Sequence, residues 1–312
     1  MSRRTRGEGD RYLLDAIRAG DAEAYRQLID RFSGRLAACA SRRLSGTGID
    51  PEDAVQEAFM GLLQSIDRLE GVRSIEAYLF RILRNKVVDL TAKRPEAHGM
   101  HRVPLAQPED SAGGGSRGYE PLSPAETPSS HARREEAADV RGEVLADILD
   151  ELIGEHQKEK NFRDLKSLEL LFYRSWKNRD IAREVGTSEP TVTRIKAAAL
   201  DALARKASRH PRMDRSLELL PAEEDLSGLI RETWQRNLFS CLKRSTLGAF
   251  ALEALDEEWT DYIRFHLETV GCEVCQANLD DLESEKREPV ADLRERLFAS
   301  SVGFVRMRQR GG

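Results

Sequence analysis

The chain has 312 residues and a formal net charge of −5, with charged residues making up 33% and aromatic residues 6% of the sequence. This composition favours a helical protein and disfavours an aromatic-rich all-β sandwich. The sequence lacks an apolar run near the roughly 18 residues of a transmembrane helix. Its charged start is not followed by the apolar stretch of a secretory signal. It also has too few cysteines for a disulfide framework. We therefore expect an all-α cytoplasmic protein of two or three domains without a membrane segment.

Residues 10–94 are predicted to form the first helical domain. Asp21, Asp50 and Ser74 each stand before an apolar periodic segment and are suited to cap a helix, and Pro51 fits a first helical turn. The stripes behind these caps recur at helical spacing, so we expect them in the core, together with Cys39. They comprise Tyr25, Leu28, Ile29 and Phe32; Val55, Ala58, Phe59, Leu62, Leu63 and Ile66; and Tyr78, Leu79, Ile82, Leu83, Val87 and Leu90.

The remainder of the chain divides by composition. Residues 95–135 are rich in Pro, Gly and Ser, which is typical of a disordered linker. Residues 136–209 are again helical in pattern, and residues 226–288 form a third, acidic helical domain. The tail over 289–312 contains one short amphipathic stretch before a basic end.

Charge is distributed unevenly along these segments. Residues 50–70 carry a net charge of −5 and residues 71–94 a net charge of +4, so an acidic helix is followed by a basic one. Residues 174–209 carry +5 and residues 251–288 carry −9. Each basic segment alone is equally consistent with a solvated helix face, but two of them in separate helical domains favour nucleic-acid binding.

A helix-turn-helix pattern lies within residues 177–206. The first helix is expected from Asn178 to Val185, and Gly186 supplies the left-handed residue of the turn. Ser188 caps the second helix, which would enter a major groove. The alternative is an αα-hairpin without a role in DNA binding. The exposed first turns would present Glu189, Thr191, Thr193, Arg194 and Lys196.

Two segments resemble a known family. The sequence DPEDAVQEAFMGLLQSIDRL, followed by SIEAYLFRILRNKVVDLTAKR, resembles region 2 of extracytoplasmic-function (ECF) sigma factors of the sigma-70 family. Residues 144–207 resemble region 4 of the same family, in the expected order along the chain. The resemblance covers about half of the chain. It implies an RNA polymerase subunit that selects promoters and has no catalytic chemistry of its own.

The resemblance also implies roles for individual residues. The acidic helix would bind core RNA polymerase, the next helix would read the −10 element of promoter DNA, and the helix-turn-helix would read the −35 element. Tyr78 would either pack in the core or stack on an unpaired base. The polymerase-binding residues implied are Asp50, Asp53, Gln56, Glu57 and Phe59. The DNA-binding residues implied are Tyr78, Arg81, Arg84, Asn85 and Lys86 for the −10 element, and Thr191, Thr193, Arg194 and Lys196 for the −35 element.

A cysteine cluster stands in the acidic domain. His266, Cys272 and Cys275 lie close together in the sequence, and Cys-x-x-Cys at a helix start is common in zinc and redox sites. Cys241 would complete a set of three cysteines and one histidine. The pattern resembles the zinc-containing anti-sigma domain, although the His-x5-Cys spacing is two residues longer than in that domain. Bound zinc, a redox thiol pair and buried cysteines without a metal all remain open readings.

The acidic domain suggests regulation within the chain. It would fold back on the basic helices and compete with promoter DNA or polymerase, with a separate anti-sigma factor as an alternative partner. Two other function classes also fit parts of the sequence. One is a helix-turn-helix regulator that does not act through core polymerase, and the other is a metal or redox sensor. The acidic helix at 50–70 argues against the first, and metal analysis would test the second.

Overall fold

The fold is described from a computed structural model over residues 3–69, 73–92, 128–212, 223–284 and 291–309. All regular structure in these ranges is helical, which confirms the predicted all-α class. Within the same ranges, none of the helices is both long and apolar enough to cross a membrane. The α-helices are α1 (Arg3–Arg18), α2 (Ala22–Leu44), α3 (Pro51–Ser65), α4 (Ile75–Ala92), α5 (Pro128–Lys158), α6 (Phe162–Leu168), α7 (Asn178–Val185), α8 (Glu189–Ser208), α9 (Glu223–Asn237), α10 (Arg244–Ala251), α11 (Glu257–Glu268), α12 (Glu273–Ser284) and α13 (Ala291–Gln309).

The helices form two compact units. The first contains α1–α4 and α10–α13, and the second contains α5–α8 and nearly all of α9. This differs from the predicted division into three domains, because α12 and α13 pack directly on α2 and join the acidic domain to the first one. Most of the predicted linker lies outside the described residues, but its last part is helical, since α5 begins at Pro128. The predicted tail likewise contains a full helix, α13.

The predicted caps position the helices of the first unit. The Asp21 carboxylate accepts hydrogen bonds from the backbone N–H groups of Glu23 and Ala24, at 2.8 and 3.1 Å. Asp50 accepts from the N–H of Glu52 at 2.9 Å, with Pro51 in the first turn of α3. The Ser74 hydroxyl accepts from the N–H of Ala77 at the start of α4. Each cap satisfies a backbone donor that the helix itself leaves unpaired.

The core of the first unit contains nearly all of the predicted stripes. Phe32, Leu36 and Leu62 are fully buried, and Cys39 is buried on α2 as expected. Three predicted core residues, Tyr78, Ile82 and Leu90, are only half-buried on α4. The apolar residues of α2 and α3 therefore hold the unit together, while α4 keeps one face near solvent.

The second unit contains the helix-turn-helix. Helix α7 has the predicted limits, α8 begins after the predicted cap Ser188, and Gly186 between them has a φ of 70°, in the left-handed region. Ser188 accepts a hydrogen bond from the N–H of Thr191 at 3.4 Å. Helices α5 and α6 pack against α8 from the side of its buried stripe. That stripe comprises Val192, Ile195, Ala199, Leu203 and Ala207.

Candidate functional site

The first part of the candidate site is the exposed face of α3. Asp50, Asp53, Gln56 and Glu57 all point their side chains to solvent. Phe59 does not, because it is 1% exposed and its ring meets Tyr25 edge-on at 6.5 Å. Periodicity explains the difference, since Phe59 lies on the same face of the helix as the core residues Val55 and Leu62. The expectation that Phe59 forms part of a binding surface is therefore corrected: its ring supports the acidic face from inside.

The second part of the site is α4, which packs against α3. The Lys86 ammonium lies 3.2 Å from the Glu57 carboxylate, so the acidic and basic faces adjoin. The Tyr78 hydroxyl donates to Ser65 at 2.8 Å, and the Arg81 guanidinium lies over the Tyr78 ring at 4.8 Å. Tyr78 therefore anchors α4 on α3 and holds Arg81 beside it.

The remaining predicted residues of α4 are oriented differently from one another. Asn85 is exposed and Arg84 is half-buried. The side chains of α4 thus form a basic surface with one exposed amide, next to the carboxylates of α3. Such a surface suits phosphate oxygens and base edges.

The helix-turn-helix presents its residues at the first turns of α8. Arg194 is exposed and Lys196 is half-buried. The Thr193 hydroxyl accepts from the Asn178 amide at 3.1 Å and donates to the carbonyl of Glu189. The Thr191 hydroxyl lies 2.8 Å from that of Ser188. The Thr193 bond therefore joins α7 to α8, the Thr191 contact lies within the N-terminal cap of α8, and Arg194 is the most accessible cation of the predicted set.

The four predicted metal ligands meet in the first unit. The ligand atoms of Cys241, His266, Cys272 and Cys275 all lie within 4.8 Å of one another, and Cys272, Cys275 and His266 are buried. Cys241 and Cys272 bring their sulfurs to 3.4 Å. Between α11 and α12, Gly271 adopts a φ of 63° and is followed directly by Cys272.

The electrostatics of this cluster favour one thiolate. Hydrogen bonds from the Cys241 and Cys275 thiols lower the pKa of Cys272 well below its ordinary value. Burial raises the pKa of Cys275 to about 11. A single thiolate among neutral soft donors is a starting point for metal binding, because a bound cation would favour loss of the remaining thiol protons.

The donor set and its size fit a tetrahedral zinc ion. A zinc–sulfur distance of about 2.3 Å implies sulfur–sulfur separations of about 3.7–3.8 Å in a tetrahedral site. The Cys241 and Cys272 sulfurs are 3.4 Å apart, and all four ligand atoms lie within 4.8 Å of one another, which is compatible with this value. Three cysteines and one histidine are also a common ligand set for structural zinc. The cluster is therefore able to hold a metal ion.

The sequence did not predict how the acidic segment docks on α2. On α12, Glu273 pairs with Arg43, and Asp280 pairs with Arg42 at 2.6 Å. The contact is close, since a Cβ atom on Gly34 would lie 2.9 Å from Cγ of Asp281. The sequence contains the basic end of α2 and the acids of α12 as separate charged groups. It does not predict that these groups contact each other.

A buried polar network lies under this contact. The Arg35 guanidinium donates to the Glu76 carboxylate at 2.8 Å, and the Asn278 amide donates to the same oxygen at 3.0 Å. All three residues are at most 8% exposed. Burial lowers the pKa of Arg35, and the charge of Glu76 opposes that shift. The network thus links α2, α4 and α12.

Comparisons with known proteins find similarity over part of the chain. Residues 28–95 match the family described as sigma-70 region 2. The chain is 30% identical over 76 residues to the ECF RNA polymerase sigma-E factor of Haemophilus influenzae, covering 24% of this chain and 39% of that protein. It is 34% identical over 83 residues to the RNA polymerase sigma factor CnrH of Cupriavidus metallidurans, covering 27% of this chain and 43% of that protein.

These matches cover only part of each protein. The chain spans less than half the length of the curated relatives it matches. No solved structure matches the chain. The similarity to sigma-70 region 2 is confined to residues 28–95, and the similarity to proteins named as sigma factors covers about a quarter of the chain.

Proposed function

We propose that the chain acts as an RNA polymerase sigma factor of the ECF type, which recruits core polymerase to specific promoters in the cytoplasm. The observation that carries this proposal is the sigma-70 region 2 match over residues 28–95. This segment contains the capped acidic helix α3 and the basic helix α4, which pack against each other. In this role the chain binds and positions other molecules. Its residues do not carry out catalysis.

Core polymerase is the proposed partner of α3. Asp50, Asp53, Gln56 and Glu57 offer exposed acceptors on one helix, which complements a basic helix on the partner. Charge complementarity of this kind steers association and fixes orientation. Phe59 contributes indirectly, by packing beneath the acidic face.

Promoter DNA is the proposed partner of α4 and α8. Arg81, Arg84 and Lys86 supply cations for phosphates near the −10 element, and the Asn85 amide can both donate to and accept from a base edge. Tyr78 holds Arg81 in place. On α8, Arg194 and Lys196 would contact the −35 element, with Thr191 and Thr193 shaping the first turn.

Zinc is the proposed metal of the cysteine cluster. Cys241, His266, Cys272 and Cys275 would hold it, and the ion would join the segment before α10 to the ends of α11 and α12. A zinc ion in such a closed site stabilises the fold and takes no part in chemistry. This site would make residues 241–275 an anti-sigma-like element within the chain.

The zinc site predicts a defined metal content. We expect about one zinc per purified chain, and we expect Cys272→Ser to lower that content severalfold because an alcohol oxygen is a far poorer ligand than a thiolate. The measurement is inductively coupled plasma mass spectrometry on the desalted protein. Cys39→Ala serves as the control, since Cys39 is a buried thiol on α2 outside the cluster. Equal metal content in the two variants, or a disulfide in place of metal in the wild type, would reject the zinc site.

Binding to core polymerase tests the proposed function. We expect the full chain to bind core polymerase, and we expect Asp53→Arg to weaken binding by roughly tenfold, because it places a cation against a basic partner. Asp30→Arg is the matched control, since Asp30 is an exposed acid of α2 that does not belong to the proposed polymerase-binding residues. The affinity is measured by titration at two salt concentrations. A chain that does not bind, or two variants that weaken binding equally, would contradict the proposal.

A further inference from the structure

The C-terminal helix α13 lies against the acidic helix α3 and against α2. The Arg296 guanidinium contacts both carboxylate oxygens of Glu52, each at 2.7 Å. Twelve residues later, Arg308 contacts the Asp67 carboxylate at 2.5 Å and also donates to the carbonyl of Leu63 at 3.1 Å. The two arginines thus engage both ends of α3.

An aromatic contact lies between these two ion pairs. The Phe298 ring of α13 stacks on Tyr25 of α2, with centroids 6.3 Å apart. The Arg26 guanidinium also lies over the Phe298 ring, 3.9 Å from its centroid. The Tyr25 hydroxyl donates to Ser301 at 2.8 Å. The contact is therefore amphipathic: an apolar and aromatic centre is flanked by pairs of opposite charge.

We infer that this face of α2 and α3 is a docking surface for a basic amphipathic helix, and that α13 occupies it within the chain in competition with core polymerase. The inference rests on the proposed function, in which α3 offers its carboxylates to a basic partner helix. In this inference, α13 occupies the surface that the basic partner helix would otherwise bind.

The competition follows from shared charge. Glu52 lies one turn before Gln56 and beside Asp53, both of which belong to the proposed polymerase surface. When Arg296 holds Glu52 and Arg308 holds Asp67, two of the acids of α3 and its following turn are neutralised. The negative electrostatic potential along α3 is therefore weaker while α13 is docked than after α13 has dissociated, and a basic partner helix is attracted less strongly.

The contacts are also suited to displacement. The side chains of Arg296 and Glu52 are 55% and 42% exposed, so their pairing is weakened by water and salt. A partner that binds only the uncovered face has its apparent affinity reduced by the fraction of molecules in which α13 is docked. Releasing α13 therefore strengthens polymerase binding without adding any contact.

The test uses four versions of the full chain: wild type, Arg296→Glu with Arg308→Glu, Phe298→Ala, and Arg306→Glu. Arg306 is an exposed arginine of the same helix and controls for a single charge reversal on α13. Hydrogen exchange over residues 291–309 reports whether α13 is docked, and titration with core polymerase reports affinity. We expect faster exchange and roughly five- to tenfold tighter polymerase binding for Arg296→Glu with Arg308→Glu and for Phe298→Ala. Arg306→Glu should stay within about twofold of wild type.

Three results would each contradict a different part of this inference: the docking of α13, its competition with polymerase, or the proposed function. Unchanged exchange in both release variants would show that these contacts do not hold α13. Faster exchange with unchanged polymerase affinity would show that α13 does not compete. Binding by none of the four chains would overturn the proposed function itself, and the competition with it, while the exchange data would still report on the docking of α13.

Discussion

Gly34→Ala is expected to destabilise the first unit, although alanine is the better helix former. Gly34 lies inside α2, where replacing glycine by alanine ordinarily stabilises a helix by up to about 1 kcal/mol. At this position a Cβ atom would stand 2.9 Å from Cγ of Asp281 and closer still to its Oδ1. Asp281 is 4% exposed and paired with Arg244 at 2.6 Å, which restricts its movement. We therefore expect a net loss of about 1–3 kcal/mol in the free energy of unfolding, typical of an overpacked contact.

Urea unfolding followed by circular dichroism measures this effect, and hydrogen exchange over α12 locates it. Gly303→Ala is the matched control, since Gly303 lies inside α13, where an added Cβ meets nothing within 4 Å. That variant should be as stable as the wild type or slightly more stable. If Gly34→Ala stabilised the chain as much as the control does, α12 would not be docked on α2 as described.

Glu76→Ala is expected to destabilise the chain by about 3–5 kcal/mol, the range found when one partner of a buried ion pair is removed. The side chains of Arg35 and Glu76 are 7% and 10% exposed, so the guanidinium left behind has little access to water. Asn278 would lose the same acceptor. The remaining carboxylate nearby, Asp281, is held by Arg244, so it compensates only in part.

The control for Glu76→Ala is the double variant Arg35→Met with Glu76→Leu, measured by the same urea titration. Replacing both charges by apolar groups removes the uncompensated cation, so the double variant should recover most of the lost stability. A double variant as unstable as Glu76→Ala would mean that lost packing, and not an unpaired charge, accounts for the effect.

Local features of this fold were predictable from the sequence. Asp21, Asp50 and Ser188 cap their helices as their positions predict, and Gly186 forms the turn of the helix-turn-helix. These features depend on backbone hydrogen bonds within a few residues of each other, which is why sequence spacing identifies them. The buried stripes of α2 and α3 follow for the same reason.

The docking of α12 and α13 was not predictable in the same way. Arg42 and Asp280 are separated by more than two hundred residues, and so are Tyr25 and Phe298. Such pairs depend on how the helices are placed in space, and helical periodicity carries no information about that placement. α13 was also underestimated in length, because the polar residues Ser300 and Ser301 interrupt its apolar stripe; the Ser301 side chain is in fact buried against Tyr25.

The candidate site was predictable in part. The acidic and basic helices were recognised from charge. For Phe59 the apolar stripe predicted the core and the resemblance implied a polymerase contact, and the side chain is buried as the stripe predicts. The four candidate metal ligands were recognised from residue type, and the structure brings them together in spite of the unusual His-x5-Cys spacing.

Transcription with reconstituted polymerase tests the central claim most directly. Core polymerase is mixed with the full chain and fragmented genomic DNA, and the 5′ ends of the transcripts are mapped. The account predicts new starts that depend on the chain, that share upstream −10 and −35 sequences, and that are lost with Arg194→Ala in α8. A chain that binds DNA but yields no starts beyond those of core polymerase alone would contradict it, and would instead identify a helix-turn-helix regulator that does not act through core polymerase.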